Sequence, residues 1–326
     1  MPTDDGGESH MPPKYSVCFV AAASAAILFV STVFTACESG STADGADQNN
    51  AGAPILSELA NATYEGIFDE PVRLAEGRWE GAPYVEGGAS RPSAGLVDDF
   101  VLTGDLDGDG REDAAVLIWE SSGGSGTRSY LAVAGRVDGA VTNLATDLVG
   151  DRVQVKNGFI ANGLIVLDLI QTGPGDAACC PTRKARVEWR LVDGTLARTA
   201  TRDTGTLSLE DLYGPEWVLV RIGQDIRTRD ASRATLTFDA GRVTGNGGCN
   251  GFFGTVTGEA PGKLGFSAMG TTMRACPEPD MDFERRYLRA LAGGSNYSFI
   301  AGRLVLDCRT EDGMVSMVFE RDDVAK

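Results

Sequence analysis

Three hydrophobic patterns run along this chain, and each predicts a different environment. From Tyr15 to Phe34 the residues are almost continuously apolar, enough for a helix of about 30 Å. The stretch Arg183-Lys184-Ala185-Arg186-Val187-Glu188-Trp189-Arg190-Leu191 alternates instead, predicting a half-exposed strand with Ala185, Val187, Trp189 and Leu191 inward. Phe283, Tyr287 and Leu291 recur every four residues, the apolar face of a helix that Asp280 caps and Gly293-Gly294 stops.

Short alternating runs separated by turn residues fill most of the rest. Strands are expected near Val72, Trp79, Phe100–Leu102, Ala114–Trp119, Tyr130–Ala134, Asp151–Val155 and Gly163–Gln171, with Asn157-Gly158 and Asn162-Gly163 as turns. Ile55 to Tyr64 has helical spacing for about two turns. Further on, Trp217–Val220, Ala234–Phe238 with Arg242–Thr244, Lys263–Met269, Tyr297–Ile300 with Arg303–Leu306, and Val315–Phe319 complete a mainly β pattern with one substantial helix. The expected order is an export segment over 1–36, a tether over 37–54, a β-rich domain over 55–197, a connector over 198–214 and a second β domain over 215–322.

The segment before residue 37 has the layout of an export signal: Lys14, an apolar core, then small residues. Met11 is the expected start, since the acidic stretch ahead of it does not suit export. The closing Ala36-Cys37 resembles a lipobox, the cleavage and lipidation site of bacterial lipoproteins, which implies that Cys37 becomes a lipid-bearing N-terminus. An uncleaved bilayer span is the alternative. Both readings place the remainder outside the cytoplasm, in the cell envelope facing the periplasm or exterior.

Charge and cysteines narrow the function classes. The chain carries a net charge of −17, and without residues 1–36 it keeps 28 basic and 43 acidic residues, a net −15. Such a surface repels nucleic acid and anionic lipid heads but leaves cationic partners open. The single histidine, His10, precedes the export segment, so the body contains no Ser-His-Asp triad, Cys-His pair or His-ligated metal. Beyond Cys37 lie Cys179, Cys180, Cys249, Cys276 and Cys308, an odd number for an oxidising compartment. Cys249 with Cys276 is the first expected pair and Cys276 with Cys308 the rival. Cys179 and Cys180 either bridge each other or, as the more ordinary arrangement, give one partner to a distant cysteine.

Asp105-Leu106-Asp107-Gly108-Asp109-Gly110-Arg111-Glu112-Asp113 places carboxylates at alternating positions with glycine between them. That pattern suits one hard cation, with Asp105, Asp107, Asp109 and Asp113 ligating through side chains and Arg111 through its carbonyl. Its strand-like flanks and Val116 at position twelve separate it from an EF-hand, and a structural calcium ion is expected rather than a catalytic one. The alternative is a solvated acidic hairpin.

The densest signal runs from Gly245 to Cys276. Gly245-Asn246-Gly247-Gly248-Cys249-Asn250-Gly251-Phe252-Phe253-Gly254 predicts a tight turn entering a strand, and Thr271-Thr272-Met273-Arg274-Ala275-Cys276 closes the stretch before the helix. These two blocks, in this order, resemble the META domain of bacterial HslJ-type heat-shock proteins over about residues 215 to 322. The resemblance implies a small, partly closed β-barrel with one helix against its opening, and proteins associated with heat shock and novobiocin tolerance. The fold is similar to that of secretin-pilot lipoproteins, which implies a groove for a lipid or partner segment. The expected function is therefore a non-enzymatic envelope lipoprotein, anchored through its N-terminal lipid, that binds an envelope protein or small ligand. An inhibitor of a cationic enzyme such as lysozyme and a carboxylate-based hydrolase are the alternatives.

Overall fold

A short helical turn and a small hairpin open the described chain: α1 (Leu56–Leu59), β1 (Thr63–Tyr64) and β2 (Val72–Arg73). The structure, a computed structural model, describes residues 52–224, 226–227 and 233–322, all within one compact unit. The export segment, Cys37 and the tether up to residue 51 lie outside the described residues. No helix among the described residues is long and apolar enough to cross a membrane.

Two antiparallel sheets follow. The first has the order β3 (Arg78–Glu80), β4 (Ser93–Gly104), β5 (Asp113–Ser121), β6 (Arg128–Val137), β7 (Ala140–Asp151). The second comprises β8 (Gln154–Ala161), β9 (Leu164–Gln171), β10 (Arg183–Val192) and β11 (Thr195–Thr206), each paired with the next in sequence. They share a core in which Ala115, Leu117 and Leu131 meet Leu167, Val187 and Trp189. The opposite face of β5 and β6 is covered by α1, β1 and β2, where Leu59, Tyr64 and Leu74 pack on Val116, Ile118 and Ala132. The unbroken apolar run Ala114–Ile118 is thus buried on both faces, whereas β10, covered on one face, alternates as its sequence predicts.

A 3-10 turn (Leu209–Leu212) leads into the second body. Here β12 (Glu216–Ile222), β13 (Ile226–Arg227), β14 (Thr235–Asp239), β15 (Arg242–Asn246), β16 (Gly251–Thr257), β17 (Gly265–Phe266) and β18 (Gly270–Thr271) precede α2 (Glu278–Ala292). The strands β19 (Gly294–Ile300), β20 (Arg303–Thr310) and β21 (Gly313–Arg321) finish it. Eight strands run in the order β17-β16-β15-β14-β12-β21-β20-β19. The path is nearly closed into a barrel by a bridge between Lys263 and Asn296, and by Leu264 N–H donating to the Ser295 carbonyl at 3.2 Å. The helix lies against this barrel and sinks Tyr287 and Leu291 into its core. Gly293 ends the helix where any Cβ would meet the Arg309 carbonyl oxygen at 1.9 Å, so only glycine fits.

The structure corrects several expectations. Residues 198–206 are not a connector but the second half of β11, an exposed strand paired with β10. Its Thr- and Arg-rich sequence lacks apolar alternation because it lies at the sheet edge. The strand β7 had no counterpart in the sequence reading, since its bulges and mixed burial break the two-residue period. Asn157-Gly158 is not a turn; it lies within β8, and a Cβ at Gly158 would strike Phe100 at 2.7 Å. The two-turn helix after Ile55 is the short α1. The strand expected over Lys263–Met269 shrinks to Gly265–Phe266, and α2 starts after Pro277, leaving Asp280 inside the first turn rather than at the cap.

Candidate functional site

The motif that dominates the sequence is held by one carboxylate on α2. Glu284 faces the barrel, 8% exposed, and its Oε2 accepts the Cys249 amide at 3.2 Å and the Asn250 amide. Its Oε1 accepts Asn250 Nδ2 at 3.0 Å. Asn250 uses its other amide atoms equally fully: Oδ1 accepts from Thr272 Oγ1 at 2.8 Å and from the Arg274 amide at 2.7 Å, and Nδ2 reaches the Arg274 carbonyl at 3.3 Å. A side chain at Gly247 would meet Glu284 Cγ at 2.9 Å, which explains glycine there. The structure joins Cys249 to Cys276 by a disulfide, closing the stretch covalently. Every polar group in this cluster is engaged in holding the two blocks together. Met273, between two anchored residues, is left 99% exposed.

The remaining cysteines divide plainly. Cys179 and Cys180 are bridged to each other, not to a distant partner. Cys308 is a free, buried thiol beside Met317, and burial followed by the nearby Asp307 charge pushes its pKa up to about 12. Cys276 with Cys308 is therefore not the pairing in this structure.

The acidic loop between β4 and β5 brings Asp105, Asp107 and Asp109 together, with one carboxylate oxygen from each lying within 4.8 Å of the others. Asp113 stands apart. Buried at 3% exposure, it accepts the Leu106 amide at 3.0 Å and the Asp107 amide at 3.3 Å, and so braces the loop from beneath. Burial raises its pKa, and the neighbouring Asp107 and Asp109 charges add to that. Arg111 places its guanidinium on Asp109, whose pKa it lowers. Three exposed aspartates whose hard oxygens converge form a donor set suited to calcium.

Two contacts fix the sheets against the barrel. Asp211, on the 3-10 turn, receives Lys156 from β8 and Lys184 from β10, the latter at 3.0 Å, and its side chain is only 5% exposed. Beside it three consecutive residues of β8 bind barrel groups. Gln154 Oε1 accepts the Phe299 amide at 3.0 Å, the Val155 carbonyl the Gly302 amide at 2.9 Å, and the Lys156 carbonyl the Arg321 guanidinium at 3.1 Å.

Between these bodies lies a cleft of about 570 Å³. Val218, Val220 and Val318 form its barrel wall, and Leu56 of α1, Ala60 just after it and Leu96 of β4 contribute from the other side. Glu76, Asp98, Asp99 and Glu320 supply carboxylates to the lining and Arg221 and Arg303 supply guanidinium groups; Arg303 is paired with Asp99. None of the candidate site residues of the sequence reading lies here. The cleft joins positions more than a hundred residues apart, which no local pattern reveals.

With this geometry in place, the comparisons define the class of the barrel. Residues 210–323 match the family model of the META domain, so the C-terminal part of the chain is a META domain, a module of envelope-associated proteins. Among solved structures, an NMR structure of a protein from Burkholderia xenovorans is 25% identical, over 34% of this chain and 84% of its own, with a TM-score of 0.27. No curated protein matches.

Proposed function

We propose that this chain is a non-enzymatic envelope lipoprotein, lipidated at Cys37, that binds a partner in envelope maintenance or stress tolerance. The cleft carries this reading. Its volume is that of a ligand site, and its walls combine apolar side chains with charged groups that orient what enters. The polar cluster around Asn250 does not compete for the role, because its atoms are consumed in bonds to one another.

The test is crosslinking from intact envelopes with the full chain and with Cys37→Ser. One partner recovered in stoichiometric amount from the lipidated form, and lost or reduced with Cys37→Ser, is the expected result. Recovery of bulk envelope proteins alone rejects it. The net charge favours a second reading, an inhibitor of a cationic enzyme such as lysozyme, and a titration of lysozyme activity that stays flat removes that one.

Calcium at Asp105, Asp107 and Asp109 is proposed as a structural ion for the sheet from which Asp98 and Asp99 reach the cleft. At a hundredfold excess over its dissociation constant it adds about 2.7 kcal/mol. The melting temperature is expected to rise by a few degrees with calcium, and Asp107→Ala to abolish the rise. Identical melting curves in calcium and in chelator discard the ion.

A further inference from the structure

We propose that the cleft receives an extended, basic segment of a partner polypeptide, a proposal that rests on the partner-binding reading above. The apolar part of the argument comes from strand alternation. Trp217 and Leu219 on β12, and Met317 and Phe319 on β21, fill the barrel core, so Val218 and Val318 stand on the outer face. Val220 joins them at a bulge, where the pairing of β12 with β21 shifts between Leu219 and Arg221. A second bulge lies across the cleft, between Leu96 and Val101 of β4, and displays Asp98 and Asp99.

The charged part decides the occupant. Glu76, Asp98 and Glu320 are exposed, and among the described residues no side chain pairs with any of their carboxylates. Arg303 answers Asp99 alone. With Arg221 counted, four carboxylates face two guanidinium groups, on a chain whose net charge is −17. Nucleic acid and anionic lipid are repelled by such a field, and an uncharged apolar ligand leaves the three carboxylates unused. An extended segment with alternating apolar and Lys or Arg side chains satisfies both surfaces at once, since successive side chains point to opposite faces.

The experiment pans a display library of random nine-residue peptides on the immobilised full chain and on two variants. The first, Glu76→Gln with Asp98→Asn and Glu320→Gln, removes the exposed charges without touching a buried group. The second, Val220→Trp, fills the cleft. Peptides enriched on the native chain are expected to carry net positive charge with interleaved apolar residues. They should bind at least tenfold more weakly to the triple variant and weaken as salt rises. Neutral or acidic enriched peptides, no enrichment, or undiminished binding to the triple variant overturns the proposal. Enrichment that survives charge removal but is lost with Val220→Trp refutes the basic segment while leaving the cleft as the binding site. Binding that survives both variants refutes the cleft as well.

Discussion

Glu284→Ala is expected to lower the unfolding free energy by about 3–4 kcal/mol, a large part of the roughly 5–15 kcal/mol that holds a typical protein together. Three donors, the amides of Cys249 and Asn250 and the Asn250 side-chain nitrogen, lose their acceptor at once. Each unsatisfied buried donor costs about 1–3 kcal/mol, and water entering the vacated space recovers part of the sum. The loss should appear in urea titration as a lower midpoint with an unchanged slope. Glu284→Gln keeps the size and one acceptor oxygen, so it should fall between native and alanine. A midpoint for Glu284→Ala within about 1 kcal/mol of the native value contradicts the clamp.

The second large effect concerns the ionic joint. Asp211→Asn is expected to destabilise by about 3 kcal/mol at neutral pH, the lower end for breaking a buried pair, because Lys156 and Lys184 retain about a fifth of their exposure. Burial by itself raises the Asp211 pKa, but hydrogen bonds from Lys156, the Ser208 amide and Lys184 outweigh burial and hold it below the usual carboxylate value. A depressed carboxyl stabilises the fold above its unfolded pKa of about 4 and ceases to do so as pH falls through its folded value. The gap between native and variant should therefore be full above about pH 5 and close below pH 4. A gap of constant size across that range removes the ionic explanation.

What the sequence made legible follows from how locally each feature is encoded. The strand β10 was readable to the individual side chain, because one covered face leaves strict alternation. The META barrel was readable because its two motif blocks are short contiguous strings, although the demands that Gly247 and Asn250 answer are set by Thr272, Arg274 and Glu284 much further along the chain. Glu284 was missed, though a signal was present: it shares a helix face with Tyr287 and Leu291, at spacings of three and seven, and a carboxylate on an apolar face requires a partner. For the acidic loop the spacing pointed to convergence, and three of the four carboxylates do converge, while Asp113 is diverted by its position at the buried start of β5. Neither β11 nor the cleft was visible, the first because a polar edge strand looks like a linker and the second because its walls are assembled by tertiary packing.

One feature of the barrel bears on how it is built in time. The last strand, β21, is not at an edge but lies between β12 and β20. The paired sheets from β3 to β11 are complete by Thr206, whereas β12 waits for a neighbour about a hundred residues later. Loop closure of that span must precede the contacts that reward it, which makes barrel closure the late step in folding. A chain emerging from its N-terminus thus finishes one wall of the cleft well before the other. A frameshift or stop near Gly313 does not trim the protein but takes out the centre of its second half.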